Sequence, residues 1–324
     1  MTEPASNPYW VEVDPRAPNN THAIALDLVG ANKRVLELGC AAGHVTRALV
    51  EQGCSVVGLE VDPTAAAFAA EVADEVHVVD LSDASAIGRL LLPGHFDVVL
   101  AGDVLEHLVD PLATLRACRP MLGPGGYVVL SLPNIAHADV KLALLEGRFP
   151  YGPQGLLDRT HLRFFTLASV KELVRDAGFM LIDVRRVVAP VFATELGVEE
   201  GSVTKEVLAA ALADDEAETY QFVVRAVVHD GDSEMSALAD RVVALGDELH
   251  DERRRRITAE QALDETLRHL EAQAEELEQL TRAQEDLALA RADATAIRAE
   301  LAAVRATRSY RWLAPLRAVR RRLP

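Results

Sequence analysis

Cysteine is scarce in this 324-residue chain: Cys40, Cys54 and Cys118 stand far apart, with no CxxC pair among them. That spacing excludes a disulfide framework and a cysteine-built zinc site, and it suits a reducing compartment. Long apolar runs are missing too. No stretch of about 18 uninterrupted apolar residues occurs, so no membrane-spanning helix is expected. The opening MTEPASNPYWVEVDP has neither a basic nor an apolar leader segment, so it does not read as a secretory signal. Cationic charge is also in short supply. A formal net charge of −17 excludes general nucleic-acid binding by the chain as a whole. Together these absences lead to the expectation of a cytoplasmic protein.

What is present is enough apolar material for a packed core, at 49% of residues, and a length that suggests two domains or one domain with a large appendage. Residues 1–22, rich in Pro, Asn and polar groups, read as an irregular lead-in. From about 23 to 135 short apolar runs alternate with helical stretches, and 23–230 is read as one domain. Strands are expected at 34–38, 55–59, 75–79, 96–101 and 127–132, with helices at 43–52, 64–73 and 111–122 between them. Near-continuous Val/Leu strands separated by helices imply a parallel sheet covered on both faces. Asp62-Pro63 places an N-cap before a proline at the first helical position. The Gly123-Pro124-Gly125-Gly126 run reads as a turn between a helix and the next strand. Further on, 167–177 reads as a helix, and 180–188 and 220–228 as a pair of closing strands, read as antiparallel. The acidic stretch 194–218 between them reads as a partly helical insertion.

After Asp230 the pattern changes. Met235, Leu238, Val242, Leu245 and Leu249 are spaced three and four apart, as are Leu263, Leu267, Leu270, Ala274 and Leu277, and then Leu287, Ala290, Ala294, Ile297, Leu301 and Val304. No proline occurs between 231 and 314. Sustained 3-4 spacing predicts a coiled coil over 231–306 and hence a homo-oligomer, with register slips near Arg253–Arg256 and Leu280. A long helix folded back on the domain is the alternative. The last segment, 307–324, holds six arginines and no acid, interleaved with Tyr310, Trp312 and Leu316. Such a tail suits an anionic bilayer surface or an acidic partner, or else is simply solvated.

The chemistry-bearing loop is Glu37-Leu-Gly39-Cys-Ala41-Ala-Gly43-His44. Glycine or alanine is needed where a ligand must lie on the backbone, and the following helix would offer its first N–H groups. A dinucleotide loop would want G-x-G-x-x-G, and His44 stands where its last glycine should be. The spacing follows E-x-G-x-G-x-G with alanine in the middle place. On this motif and the order of the strands, residues 30–190 resemble class I S-adenosylmethionine-dependent methyltransferases. The resemblance implies a Rossmann-like α/β sheet. It also implies that Glu37, Gly39, Ala41 and Gly43 hold the methionine part of S-adenosyl-L-methionine. Glu60, 21 residues past Gly39, would accept hydrogen bonds from ribose hydroxyls. Asp80 would meet the adenine amino group with Leu81 against the ring, and Asp83 competes for that role. Gly102 and Asp103 emerge at the sheet's carboxyl edge, and Asp97 opens the fourth strand as a structural acid.

Methyl transfer to a hydroxyl needs a nucleophile held in line and is helped by a general base, most often histidine. The candidates are His107, His137 and His161. Residues 131–166, with Pro133-Asn-Ile-Ala-His137 and Gly155-Leu-Leu-Asp158-Arg159-Thr-His161-Leu-Arg163-Phe-Phe-Thr166, resemble methyltransferases of surface-polysaccharide and O-antigen pathways. That implies a glycan or glycolipid acceptor, with Asp158, Arg159 and Arg163 binding it and a glycosyltransferase as a further partner for the tail. Asp158 paired with Arg163 merely to fix a lid is the plainer reading. No acid cluster with metal-ligand spacing is evident, so no metal is expected. A quinone, lipid or other small metabolite as acceptor, or an inactive coiled-coil scaffold, are the alternative functions.

Overall fold

The computed structural model describes residues 13–229, 231 and 233–306, and within the long helix a few side chains are left aside. The expectations for the arginine-rich tail, 307–324, and for residues 1–12 lie outside the described residues. Two compact units are distinguished, Met1–Asp251 and Glu252–Pro324, so the division falls inside the long helix rather than at its start.

Seven strands form one sheet: β1 (Arg34–Leu38), β2 (Ser55–Glu60), β3 (Glu75–Val78), β4 (Phe96–Gly102), β5 (Leu122–Pro133), β6 (Phe179–Val188) and β7 (Thr219–Val228). Their order is β3-β2-β1-β4-β5-β7-β6. β1 to β5 pair in parallel, and β7 runs antiparallel to both β5 and β6. The antiparallel sense read from the sequence is therefore correct. Parallel strands bury both faces, which explains runs such as Val98–Ala101 that leave no polar alternation.

The helices are α1 (Thr21–Val29), α2 (His44–Glu51), α3 (Pro63–Ala69), α4 (Ala84–Leu90), α5 (Pro111–Cys118), α6 (Ala138–Leu145), α7 (Leu167–Asp176), α8 (Lys205–Leu212) and α9 (Ser233–Ala306). Asp62 caps α3 through Thr64 N, with proline at the first position as read. Two expectations need correction. Residues 21–22 belong to α1, a helix whose Leu26, Leu28 and Val29 sit in the core, so the lead-in ends earlier than 22. The glycine run 123–126 is inside β5: Phe96 pairs with Leu122 and Val98 with Tyr127, so five steps on β5 face two on β4. The surplus bulges out of the sheet, with Gly125 at φ 75°.

The core lies on the two faces of the sheet, one side packed by Ile87, Leu105, Leu115, Val170 and Phe179, the other by Leu26, Val29, Leu49 and Val223. A third cluster joins α6 to α8 through Leu142, Leu156, Leu196, Val198 and Ala211. It shows that the insertion 194–218 folds with residues 138–157 into a cap on one end of the sheet. The first turns of α9 belong to the same unit. Arg186, with a side chain 4% exposed, bonds Glu216 and Asp247, and Ala239 is buried. Among the described residues no helix is long and apolar enough to cross a membrane.

Candidate active site

The chain visits β1, β2 and β3 in turn and then returns to β4 beside β1, which opens a crevice beyond the carboxyl ends of β1 and β4. The loop after β1 lies there. Gly39 has φ 66°, Ala41 φ 47° and Gly43 φ 81°, all in the left-handed region. A Cβ on Gly39 would come within 2.6 Å of Val104 Cγ2, and one on Gly43 within 2.9 Å of the Ala69 Cα. Both glycines are thus required by conformation and by space. Ala41 tolerates the same region with a methyl group, which accounts for alanine in the middle place.

The loop's amides are turned inward. Gly39 N and Cys40 N donate to Leu59 O, Ala41 N to Glu60 Oε2 at 2.9 Å, and Gly43 N to Cys40 O. These four amides are therefore used within the protein. Glu60 Oε1 accepts from Val61 N and Asp62 N, so the carboxylate also ties β2 to the start of α3. Glu37 is buried and accepts from Thr46 Oγ1 at 2.6 Å. Burial pushes its carboxyl up to about 7, with the Thr46 bond opposing.

Three cavities meet at this edge. One of 310 Å³ is lined by Gly39, Glu60, Asp80, Leu81, Asp103 and His107 among others. It therefore gathers the residues expected for ribose and adenine. Asp83 is instead held by Ser85 and Arg89, so Asp80 is the acid that faces the cavity. A second, of 40 Å³, is lined by His22, Glu37, Gly39, Cys40, His44, Gly102 and Ser131 among others. The third, of 280 Å³, is lined by Asp103, Glu106, His107, Gln154, Asp158, His161, Tyr220 and Gln221 with Pro133 and Gly155. Asp103 and His107 are walls of both the first and the third cavity. Asp103, at φ 55°, is fixed by Ser131 Oγ and by the Gln221 amide.

Of the three histidine candidates, His107 and His161 come together, with ring centroids 4.9 Å apart. His161 Nδ1 lies 3.3 Å from Leu156 O. A carbonyl can only accept, so Nδ1 carries the proton and Nε2 keeps its lone pair. Burial and the neighbouring His107 lower the His161 pKa, which keeps the ring neutral near pH 7. His137 is a correction. It is fully buried, its Nε2 bonds Ala189 O at 3.0 Å, and its Nδ1 accepts from Asp139 N to cap α6. Both nitrogens are used, and neither is left for a substrate.

The polar cluster at 158–163 is also rearranged. Asp158 Oδ1 accepts from Thr160, whose hydroxyl neighbours His107 Nδ1. Arg159 donates to Gly152 O and Arg163 to Val109 O. The Asp158–Arg163 pair is therefore absent, and neither arginine lines the 280 Å³ cavity. The sequence reading missed Glu106, Gln154, Tyr220 and Gln221. Glu106 is buried, its Oε2 has no partner, and burial with Asp103 nearby holds its carboxyl well above the usual range. Its spacing to Asp103 and His107, three and one, is visible in the sequence. The approach of His161 is not: ligand atoms of Glu106, His107 and His161 all lie within 4.8 Å of one another, a trio able to hold a cation.

An open, mostly parallel sheet with a glycine loop after β1, an acid after β2 and joined cavities at the switch point defines a small-ligand enzyme of the Rossmann-like class. The family model described as a methyltransferase domain matches residues 9–184, and the chain belongs to that family. It is 32% identical over 153 residues to the ubiquinone biosynthesis O-methyltransferase of Cereibacter sphaeroides, covering 46% of this chain and 61% of that protein. The protein of the same name from Psychrobacter arcticus is 32% identical over 161 residues, covering 48% and 62%. The chain thus spans about three fifths of the length of these relatives. Among solved structures, a SAM-dependent methyltransferase from Archaeoglobus fulgidus aligns over 64% of this chain and 94% of its own, at 16% identity and TM-score 0.46.

Proposed function

We propose that this chain is an S-adenosylmethionine-dependent O-methyltransferase whose acceptor is a small hydroxylated molecule of phenol or quinol type. The cofactor supplies an electrophilic methyl group on a sulfonium centre. The residues around the β1 loop fit it: Glu37, Gly39, Ala41 and Gly43 at the methionyl end, Glu60 for the ribose hydroxyls, Asp80 and Leu81 at the adenine. The two left-handed glycines, which leave no space for a Cβ, are the observation behind that fit. His161, neutral and with Nε2 unprotonated, takes the hydroxyl proton of the acceptor in the 280 Å³ cavity. The single observation that carries the reading is that this cavity shares Asp103 and His107 with the 310 Å³ cofactor cavity, so the two ligands would meet there.

The names of the relatives favour a quinol acceptor. A sugar hydroxyl of a glycan or glycolipid is the second reading, and the lining supports it: eight of the ten residues around the acceptor cavity are polar or ionisable. Incubating the chain with methyl-labelled S-adenosylmethionine separates the two. Labelled catechols and quinols, with nucleotide sugars and oligosaccharides unlabelled, support the first; the reverse supports the second. No label in either panel, from protein that binds the cofactor, refutes both.

We also propose that α9 pairs with a second copy of the chain. Its Leu263, Leu267, Leu270 and Leu277 are 49–66% exposed, and so are Ile297 and Leu301 further along. A seam of this length in water finds its burial in an identical partner. Membrane or glycosyltransferase contact through the arginine tail stays a proposal on sequence alone.

A further inference from the structure

Leu156 makes two backbone bonds that bear on the base. Its carbonyl lies 3.3 Å from His161 Nδ1, so the ring presents an unprotonated Nε2 only while that carbonyl stays in place. Gly155, just before it, sits at φ 95°, a region glycine enters freely, so the turn itself does little to hold Leu156. The other bond does: Leu156 N donates to Glu195 Oε1 at 2.6 Å, a short bond to a carboxylate. Glu195 Oε2 accepts from the Tyr220 hydroxyl at 3.1 Å. Burial first, and the Glu195 carboxylate after it, push the Tyr220 phenol up, so it stays protonated and keeps that donation. The residue before Glu195 is anchored in turn. Thr194 N and Oγ1 donate to Asp139 Oδ2 at 3.3 and 2.6 Å, and Phe192 N donates to Asp139 Oδ1 at 2.8 Å. Asp139 is a fully buried carboxylate on α6.

We propose that Glu195 is a positioning residue for the base: it pins Leu156, whose carbonyl then holds His161 with Nδ1 protonated and Nε2 free. This rests on the reading of His161 as the base given above. The path runs from Asp139 on α6 through Thr194 and Glu195 to Leu156, and from there to the imidazole. Glu195 is not among the walls of the 280 Å³ cavity, so it acts through Leu156 and Tyr220 rather than on a ligand. Tyr220 is a wall, and with its O–H committed to Glu195 its oxygen can only accept from a ligand. The glycine at 155 finds a reason in the same arrangement. A Cβ there would run into Glu195 Oε1, the oxygen that Leu156 N uses. Glu195 is itself exposed, so its removal should cost the fold little and show at the histidine first.

Heteronuclear NMR of the full chain, labelled at the histidine ring nitrogens, distinguishes the two neutral tautomers, and His161→Ala identifies the resonances. Above neutral pH, His161 of the wild type should be protonated at Nδ1. In Glu195→Ala it should shift to a mixture that includes the Nε2–H form. The kcat with a catechol acceptor should fall about tenfold with the cofactor KM unchanged, a smaller loss than removal of the base itself. Glu195→Gln, whose amide oxygen can still accept from Leu156 N, should restore most of both. Glu200→Gln, which removes a charge from the same insertion, should move neither. His161 still protonated at Nδ1 alone in Glu195→Ala overturns the positioning role, as does an equal shift in Glu200→Gln, which makes it a general effect of charge. An Nε2-protonated His161 in the wild type overturns the base reading itself, and the positioning role with it.

Discussion

The Glu37 carboxyl offers a measurement that needs no substrate. Its pKa is raised from 4.5 to about 7, chiefly by burial. The unfolded chain therefore loses this proton near pH 4.5 while the folded chain keeps it to about pH 7. Between those values the native state binds more protons, so stability falls as pH rises and levels off above about 7. A shift of about 2.5 units corresponds to about 3 kcal/mol, of which about 2–3 kcal/mol is lost between pH 5 and pH 8. Glu37→Gln keeps the shape and can still accept from Thr46 Oγ1, but it cannot ionise. Urea denaturation of both proteins at pH 5, 6, 7 and 8 isolates the contribution. The variant should gain about 2–3 kcal/mol on wild type over that range, equivalent to about 5–10 °C in Tm. It should at the same time bind cofactor more weakly, because the ammonium end loses its charged wall. Parallel pH profiles for the two proteins would refute the assignment of a strained, buried carboxyl at this site.

Gly43→Val places a branched side chain at φ 81° against the Ala69 backbone; cofactor binding should vanish and stability drop by about 2 kcal/mol or more, read by thermal melting. Asp80→Asn should weaken adenosine binding several-fold while Asp83→Asn leaves it unchanged, since Arg89 and Ser85 hold Asp83 away from the cavity; equal losses in a calorimetric titration would contradict that division. His137→Ala should cost about 2–4 kcal/mol of stability by freeing Ala189 O and uncapping α6, yet turnover per folded molecule should hold. His161→Ala should lower kcat by about a hundredfold or more with cofactor affinity intact, whereas a comparable loss of affinity would make it a binding residue.

The sequence by itself determined the sheet and the cofactor loop. Strand and helix alternation is a local property, written in apolar runs of four to seven residues and in caps such as Asp62-Pro63. The left-handed turns at Gly39 and Gly43 are equally local, because glycine adopts positive φ without a steric cost. Glu60 was placed by its spacing from Gly39 at the end of β2, and Asp80, just past β3, by the resemblance to the methyltransferase family. The 3-4 spacing of α9 was likewise legible as a local pattern, and the helix over Ser233–Ala306 is there.

What the tertiary structure decided is everything brought together from afar. His107 and His161 are 54 residues apart, and their 4.9 Å approach depends on Leu162 and Arg163 amides both bonding Glu106 O. The same histidine-rich segment gave no sign that His137 is a buried cap, or that Arg163 serves Val109 O rather than Asp158. Gln221 reaches Asp103 only because β7 is inserted between β5 and β6. Register with β2 turned three amides of the Gly39–Gly43 loop onto Leu59 O and the Glu60 carboxylate. Hydrogen-bond partners are assigned by packing, and packing is not a property of neighbouring residues along the chain.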